Sequence, residues 1–236
     1  MKLGLVGYGK LGKAIEKIAL EKGHTIVAKL TSKRGDFADL CNADVCFECS
    51  EPRSVVKNIE KIALLKKNVI VATTGWDEKI SDVESIVEHS RIGLLYSSNF
   101  SIGIYLFRLI VEMSGKIMNP FIDYHASGVE THHVTKRDSP SGTATEILKD
   151  LSCHFERTRA PSFSSIRRGE VPGIHQIYFD SVVDSIELTH TAHNRDGFAK
   201  GAVEAAEWIE GKEGFFTFND FMKEKLLCSS LAPLLL

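Results

Sequence analysis

Apolar and polar positions follow two periods along the first hundred residues. Short apolar runs at 3–7 (LGLVG), 25–31 (TIVAKLT), 44–48, 69–74 (VIVATT) and 92–98 (IGLLYSS) predict β-strands. Between them, apolar residues recur three and four apart and predict helices. Leu11, Ile15, Ile18 and Ala19 form one such stripe running to Lys22, and 52–66 and 77–90 repeat it, with Pro52 expected in the first helical turn. Strands alternating with helices predict a parallel, doubly wound sheet that binds ligands at the carboxyl ends of its strands. After Asn99 the pattern changes. Residues 101–117 predict a long apolar helix, 121–128 a strand, and ATEILKDL (144–151) a second helix. Residues 158–175, rich in Arg, Ser, Pro and Gly, read as a loop. Two β-rich runs, 176–183 and 185–193, predict antiparallel strands joined near Asp184. Residues 198–210 predict an amphipathic helix, and the Phe-rich segment 215–227 is expected to fold back on the first domain.

Local chemistry sharpens this picture at two places. The first strand runs into Gly7-Tyr8-Gly9-Lys10-Leu11-Gly12, and a helix and a second strand follow within about thirty residues, the context that makes a G-x-G-x-x-G a dinucleotide fingerprint. Gly7 suits the tight turn, Gly9 the close approach of a pyrophosphate, and Gly12 the packing of helix on strand. No acidic residue ends the second strand to hold a ribose hydroxyl. Thr31, Ser32, Lys33 and Arg34 stand there, which fits a 2′-phosphate better than a bare ribose, so NADPH is expected to bind at least as well as NADH. Solvated charges at a strand end are the plainer alternative. Thr73, Thr74, Ser98, Asn99 and Phe100 all fall at predicted strand ends and form a candidate cofactor rim.

The second place is 130–144, ETHHVTKRDSPSGTA, which has no apolar face to bury. His132 and Lys136, four apart, would share a face in a helix or a strand, with His133 pointing elsewhere. Ser139 to Thr143 reads as a turn feeding a helix, whose opening N–H groups and dipole suit a carboxylate or phosphate. Chemistry on a small acidic molecule would fit; a solvated basic loop with a helix cap is the alternative.

Composition narrows the classes. With 236 residues, 43% hydrophobic and 25% charged, the chain fits one large or two modest soluble domains. A net charge of −2 argues against a broad nucleic-acid surface. No apolar run approaches the ~20 residues of a bilayer span, and no leader pattern precedes Lys2. The apolar end 231–236 is too short to cross a membrane and is expected to dock on the body or a partner. Five cysteines, an odd number, fit a reducing cytoplasm. Cys46 and Cys49 form a C-x-x-C, but their odd spacing in a predicted strand puts them on opposite faces. No second pair completes a metal set, so they are expected in the core and no metal is expected.

Taken together, GYGKLG, ATTGW (72–76), SSNFSIG (97–103), ETHHVTKRDSPSGTA and THTAHNRDGFAKGAVEAAEWI (189–209) resemble the dihydrodipicolinate reductase family, also called 4-hydroxy-tetrahydrodipicolinate reductases. The similarity runs in order through nearly the whole chain. It implies an α/β fold: a Rossmann-type doubly wound parallel sheet from 1–100 and 196–236, and a second α+β domain, 101–195, with an open, mostly antiparallel sheet used for substrate binding and oligomerisation. It implies reduction of the cyclic product of pyruvate and aspartate semialdehyde by NADPH or NADH, with loss of water, in diaminopimelate and lysine biosynthesis. Carried over by position, Gly7 to Gly12, Ser32 and Lys33, Ala72, Thr73 and Thr74, and Ser97 to Phe100 would bind the cofactor. His132 would donate or accept a proton, Lys136 would donate one, and His133, Gly142 and Thr143 would bind the dicarboxylate. A homotetramer is implied. The segment 32–43 is short beside many relatives, and the LLCSSLAPLLL end departs from the usual family ending.

Two rivals remain at this level. Another Rossmann dehydrogenase of amino-acid metabolism would explain residues 1–100 but not the His-His-x-x-Lys and Pro-Ser-Gly-Thr combination. A nucleotide-sensing module would bind NAD(P)H without turnover.

Overall fold

A computed structural model describes residues 1–157 and 161–227; the apolar end at 231–236 lies outside them. The chain divides into two compact units, one built from residues 1–101 and the segment from 196 onward, the other from 102–195. The first unit opens with β1 (Lys2–Val6), α1 (Lys10–Glu21), β2 (Thr25–Leu30), β3 (Val45–Glu48), α2 (Val55–Leu64), β4 (Asn68–Val71), α3 (Ile80–Ser90) and β5 (Gly93–Tyr96). The second contains α4 (Ile102–Met118), β6 (His125–His132), α5 (Gly142–Ser152), β7 (Phe163–Arg167), β8 (Gly173–Asp180) and β9 (Ser185–Ala192). The chain then rejoins the first unit with α6 (Asp196–Ile209), β10 (Gly214–Thr217) and α7 (Phe218–Leu227).

The first sheet has the order β10-β5-β4-β3-β1-β2, and every neighbouring pair is parallel. Helix α1 packs with α6, and α2 with α3. Strands β1, β3 and β4 are buried almost end to end, as parallel strands covered on both faces must be, and so their sequences read as unbroken apolar runs. The fold-back of the last segment is specific. Strand β10 pairs with β5, and Asn68 donates to the carbonyls of Ile209 (2.7 Å) and Lys212 (3.1 Å) while accepting from the Gly93 N–H (2.7 Å). Ion pairs Lys17–Asp196 and Lys22–Glu207, both 2.6 Å, tie α1 to α6.

The second sheet, β7-β6-β8-β9, is mixed: β6 and β7 are parallel and the other two pairs antiparallel. Burial alternates along β8, so one face is covered. Its core is Phe107, Val111, Ile147, Leu151, Phe155, Ile177 and Phe179, contributed by α4, α5, β8 and the residues just after α5.

Several sequence expectations need correction. Strand β6 begins at His125, not Phe121, because residues 121–124 turn back on the end of α4 (Phe121 N–H to Met118 O, 3.0 Å). It also runs on to His132, so His132 ends a strand while Lys136 follows a turn, and the shared-face argument does not apply. Pro52 lies before α2, which starts at Val55 after a turn closed by Ser54 N–H to Glu51 O (2.9 Å). The stretch 158–175 is not all loop: it holds β7 and the start of β8. Strand β7 is a short edge strand with alternating exposure, and its Ser- and Arg-rich sequence hid that. Among the described residues, no helix is long and apolar enough to cross a membrane.

Candidate active site

The first unit gathers the predicted cofactor residues at the carboxyl ends of β1, β2, β4 and β5. The three glycines of the turn differ in what a side chain would meet. Gly7 has φ +96°, and a Cβ there would strike the Cys49 carbonyl; at Gly12 it would strike the Gly7 carbonyl. Gly9, the residue before α1, has nothing within 4 Å of a Cβ position, so a pyrophosphate can approach its backbone. These features fit a dinucleotide. Lys10 and Leu11 form the first turn of α1. The Tyr8 hydroxyl donates to Glu16, which pairs with Lys29 at 2.5 Å. Ser32 and Lys33 lie on an exposed two-residue turn closed by Thr31 N–H to Arg34 O (2.8 Å). Because β2 is an edge strand, a cavity of about 770 Å³ opens beside it, lined by Tyr8, Lys29, Thr31, Arg34 and Asp39 among others.

On the rim, Thr73 donates to the fully buried Glu48 carboxylate (2.5 Å), whose other oxygen accepts from Ser50 and from Asn58 (2.9 Å). Ala72 N–H bonds to Glu48 O (2.8 Å), Thr74 is exposed, and Trp76 Nε1 donates to Thr73 O (2.7 Å). Ser97 and Asn99 brace each other, Asn99 N–H donating to Ser97 Oγ at 3.1 Å; Ser98 is exposed, and Phe100 is buried edge-on against Phe218. Of the C-x-x-C pair, only Cys46 lies in the core; Cys49 falls just after β3, is partly buried, and donates from Sγ to Gly7 O at 3.0 Å. Burial pushes both thiols up to about 12, so neither is a thiolate at neutral pH.

In the second unit, strand register builds a polar cluster. Glu130 on β6 sits opposite Ser165 on β7 and His175 on β8, and His132 sits opposite Arg167. Residues two apart on a strand share a face, so Glu130 and His132 point together. The Glu130 carboxylate is fully buried. Its Oε1 accepts from Ser141 N–H (2.9 Å), Ser165 Oγ (2.7 Å) and Arg167 Nη2 (3.2 Å). Its Oε2 lies 3.3 Å from His132 Nδ1 and 3.8 Å from His175 Nε2. The 3.3 Å contact is misaligned for a hydrogen bond, so Oε2 and Nδ1 are both left unsatisfied. Ser141 caps α5, its hydroxyl accepting from Ala144 N–H at 3.1 Å.

Electrostatics follow from this packing. Burial raises the Glu130 pKa, but the donors Ser141, Ser165 and Arg167 outweigh it and hold the group below the usual carboxylate range. Burial lowers His132; Lys136 and Arg167 push the same way, against the opposing pull of Glu130. Burial and the neighbouring His132 lower His175 to about 4. Glu130, His132 and His175 bring one ligating atom each within 4.8 Å of one another. The Arg167 guanidinium on the same carboxylate and the nearby Lys136 weigh against a cation there.

Lys136 pairs with Asp138 at 2.9 Å; Asp138 is half exposed, so a ligand carboxylate could take its place. His133 Nδ1 lies 2.7 Å from Thr135 Oγ1. Gly142 and Thr143 form the first turn of α5, with open space over Gly142. The Ser139–Pro140 bond is cis. Sequence reasoning missed His175, Arg167 and Ser165 because all three lie in or next to the stretch read as loop. An arginine and a histidine flanking a Gly-x-x-x-Gly turn were the available signal.

Residues 1–100 match the dihydrodipicolinate reductase N-terminal domain, and residues 103–222 the C-terminal domain of the same family. The 4-hydroxy-tetrahydrodipicolinate reductase of Christiangramia forsetii is 33% identical, covering 95% of this chain and 98% of its own. The chain belongs to the dihydrodipicolinate reductase family. The Aquifex aeolicus 4-hydroxy-tetrahydrodipicolinate reductase is 36% identical over 90% of this chain and 83% of its own length. Among solved structures, a dipicolinate-bound dihydrodipicolinate reductase from a Paenisporosarcina species shares the fold with a TM-score of 0.74. It is 18% identical, and the match covers 92% of this chain and 97% of that one. Membership of the reductase family joins the first unit's glycine turn and the second unit's His/Lys cluster in one enzyme class, which neither rival reading does.

Proposed function

We infer that this chain is an NAD(P)H-dependent 4-hydroxy-tetrahydrodipicolinate reductase of diaminopimelate and lysine biosynthesis. The observation that carries the inference is that both units match one reductase family, with His132, Lys136 and the Pro-Ser-Gly-Thr turn all present. The first unit binds the cofactor through Gly7 to Gly12, Ala72 to Thr74 and Ser97 to Phe100, with Ser32 and Lys33 toward the ribose. Reduced nicotinamide, when bound, supplies the hydride. The rest falls to the chain's own residues. Gly142 and Thr143 at the α5 tip, His133 and the Lys136 ammonium hold the two carboxylates of the substrate ring.

Loss of the ring hydroxyl as water leaves a conjugated C=C–C=N system: the neighbouring ring C–H gives its proton to neutral His132, and the departing oxygen takes one from Lys136. Addition of hydride then leaves negative charge that one proton must quench, and His132 gives it. In the free enzyme His132 is mostly neutral, because burial and two cations depress its pKa. A bound dicarboxylate offsets those cations, so the imidazole holds the proton taken from the ring carbon until hydride has been added.

The test is direct. Purified protein, NADPH and freshly made condensation product of pyruvate and aspartate semialdehyde are mixed, and the reduced-nicotinamide absorbance is followed. Substrate-dependent loss of absorbance supports the reading; binding of NADPH without turnover overturns it. We also propose a homotetramer through the open face of the second sheet, whose rim exposes Ile166, Val182, Val183 and Ile186, and a reducing cytoplasmic setting that keeps Cys41, Cys46, Cys49 and Cys153 free. Light scattering at micromolar concentration tests the assembly, and a monomer there rules it out.

A further inference from the structure

We propose that Glu130 is a positioning residue: its buried carboxylate orients the His132 imidazole and ties it to the tip of α5, so proton transfer and anion binding run through one side chain. This rests on the reading of His132 as the proton-transferring group. The geometry is asymmetric. Oxygen Oε1 is saturated by three donors, one of them the Ser141 N–H immediately before the Gly142-Thr143 turn. Oxygen Oε2 has no hydrogen bond and faces two imidazole nitrogens, His132 Nδ1 at 3.3 Å and His175 Nε2 at 3.8 Å.

A merely structural anion, placed to neutralise Arg167, would not need this second arrangement. Leaving a carboxylate oxygen dry and unbonded is costly, and a small rotation of the His132 ring removes that cost. The same rotation fixes the tautomer. With Nδ1–H given to Glu130, Nε2 is the nitrogen left to exchange a proton. The ring stacks edge-on against His175 at 5.1 Å, and Nε2 faces Gly173, where an added Cβ would come within 3.1 Å of it. The charged and titratable groups acting on His132 are Glu130 on its own strand, Arg167 from β7, His175 from β8, and Lys136 and Asp138 from the following turn. Of these, Glu130 is the only carboxylate that is buried.

The decisive variant is Glu130→Gln, which keeps the shape and removes the charge. It should keep wild-type affinity for NADPH, lose at least about tenfold in kcat, and raise KM for the dicarboxylate as the α5 tip loosens. Removing an anion from His132 favours its neutral form. The alkaline fall of the kcat profile should therefore move to lower pH by about one unit, and the His132 ring, followed by NMR, should titrate lower by a similar amount. A structural role would lower the amplitude and leave both positions unmoved, which overturns the proposal. Should Glu130→Gln not fold, Ser165→Ala removes one Oε1 donor and should cost several-fold in kcat, with Ser165→Thr restoring it; equal loss in both also overturns it. Absent turnover in the wild type would sink the functional assignment instead, while the His132 titration still decides the role of Glu130.

Discussion

His175 makes the second unit's stability depend on pH, by an amount the packing lets us work out. Its ring is buried against His132 and Glu130, and burial with the neighbouring imidazole lowers its pKa to about 4 from an ordinary 6.5. In the window between these values the unfolded chain holds a proton at this site that the folded chain refuses. Stability therefore rises with pH across the window, is fully present above about 6.5, and is lost as the pH falls toward about 4. Between pH about 7.5 and about 5 the linkage gives a loss of about 2 kcal/mol from this one residue. Replacing His175 with Gln should remove that part of the slope, while the contributions of His132 and His190, both also lowered by burial, remain in both proteins. The probe has to sit in the right unit. Both tryptophans, Trp76 and Trp208, lie in the first unit, so their fluorescence reports on the other sheet. Hydrogen exchange of peptides spanning β8, corrected for intrinsic exchange, reads the second unit directly. Wild type should lose about 2 kcal/mol more protection than His175→Gln over that pH interval. Equal losses would mean that His175 is solvated or charged in the folded protein and that the packing argument fails.

Further expectations follow from other positions. His132→Gln or Lys136→Ala should each cut kcat by about 10²-fold or more, with NADPH affinity retained in fluorescence titration; wild-type turnover in both would remove their assigned roles. The double variant Lys33→Ala with Arg34→Ala should lower kcat/KM for NADPH by about tenfold and leave NADH nearly unchanged, since among the described residues neither cation is in an ion pair that would otherwise employ it. Gly201→Ala should destabilise the first unit by about 1–3 kcal/mol despite the better helix propensity of Ala, because the added methyl meets the Phe100 carbonyl rather than a movable side chain. A thermal melt followed by tryptophan fluorescence reads it, and an unchanged midpoint would show that α6 can shift freely.

The parallel sheet was legible because burial on both faces writes itself into the sequence as unbroken apolar runs at β1, β3 and β4. Its sixth strand was not. Strand β10 is four residues, GFFT, and what fixes it is β5 alongside and the Asn68 bridge to the end of α6, neither of which leaves a local pattern. Strand β7 failed for a related reason. A half-exposed edge strand needs only alternate residues inside, and in FSSIR the inward positions include Ser165 and Arg167, which are polar because they serve Glu130. The polar cluster that these residues build with Glu130 leaves the strand that carries them without a hydrophobic signal.

The same logic separates what could be read of the site from what could not. His132, Lys136 and Gly142 sit in a continuous motif, and contiguity made them visible. Glu130 stood in that motif too, yet its importance depends on Ser165, Arg167 and His175, which strand pairing brings from 35 to 45 residues away. Register across three strands, unlike period along one, cannot be read from a single sequence. Yet Glu130 and His132, two apart and both buried at the end of a strand, already had to share a face once β6 was extended to His132. Placing the end of that strand correctly would have been enough to ask what a buried carboxylate was doing beside the imidazole.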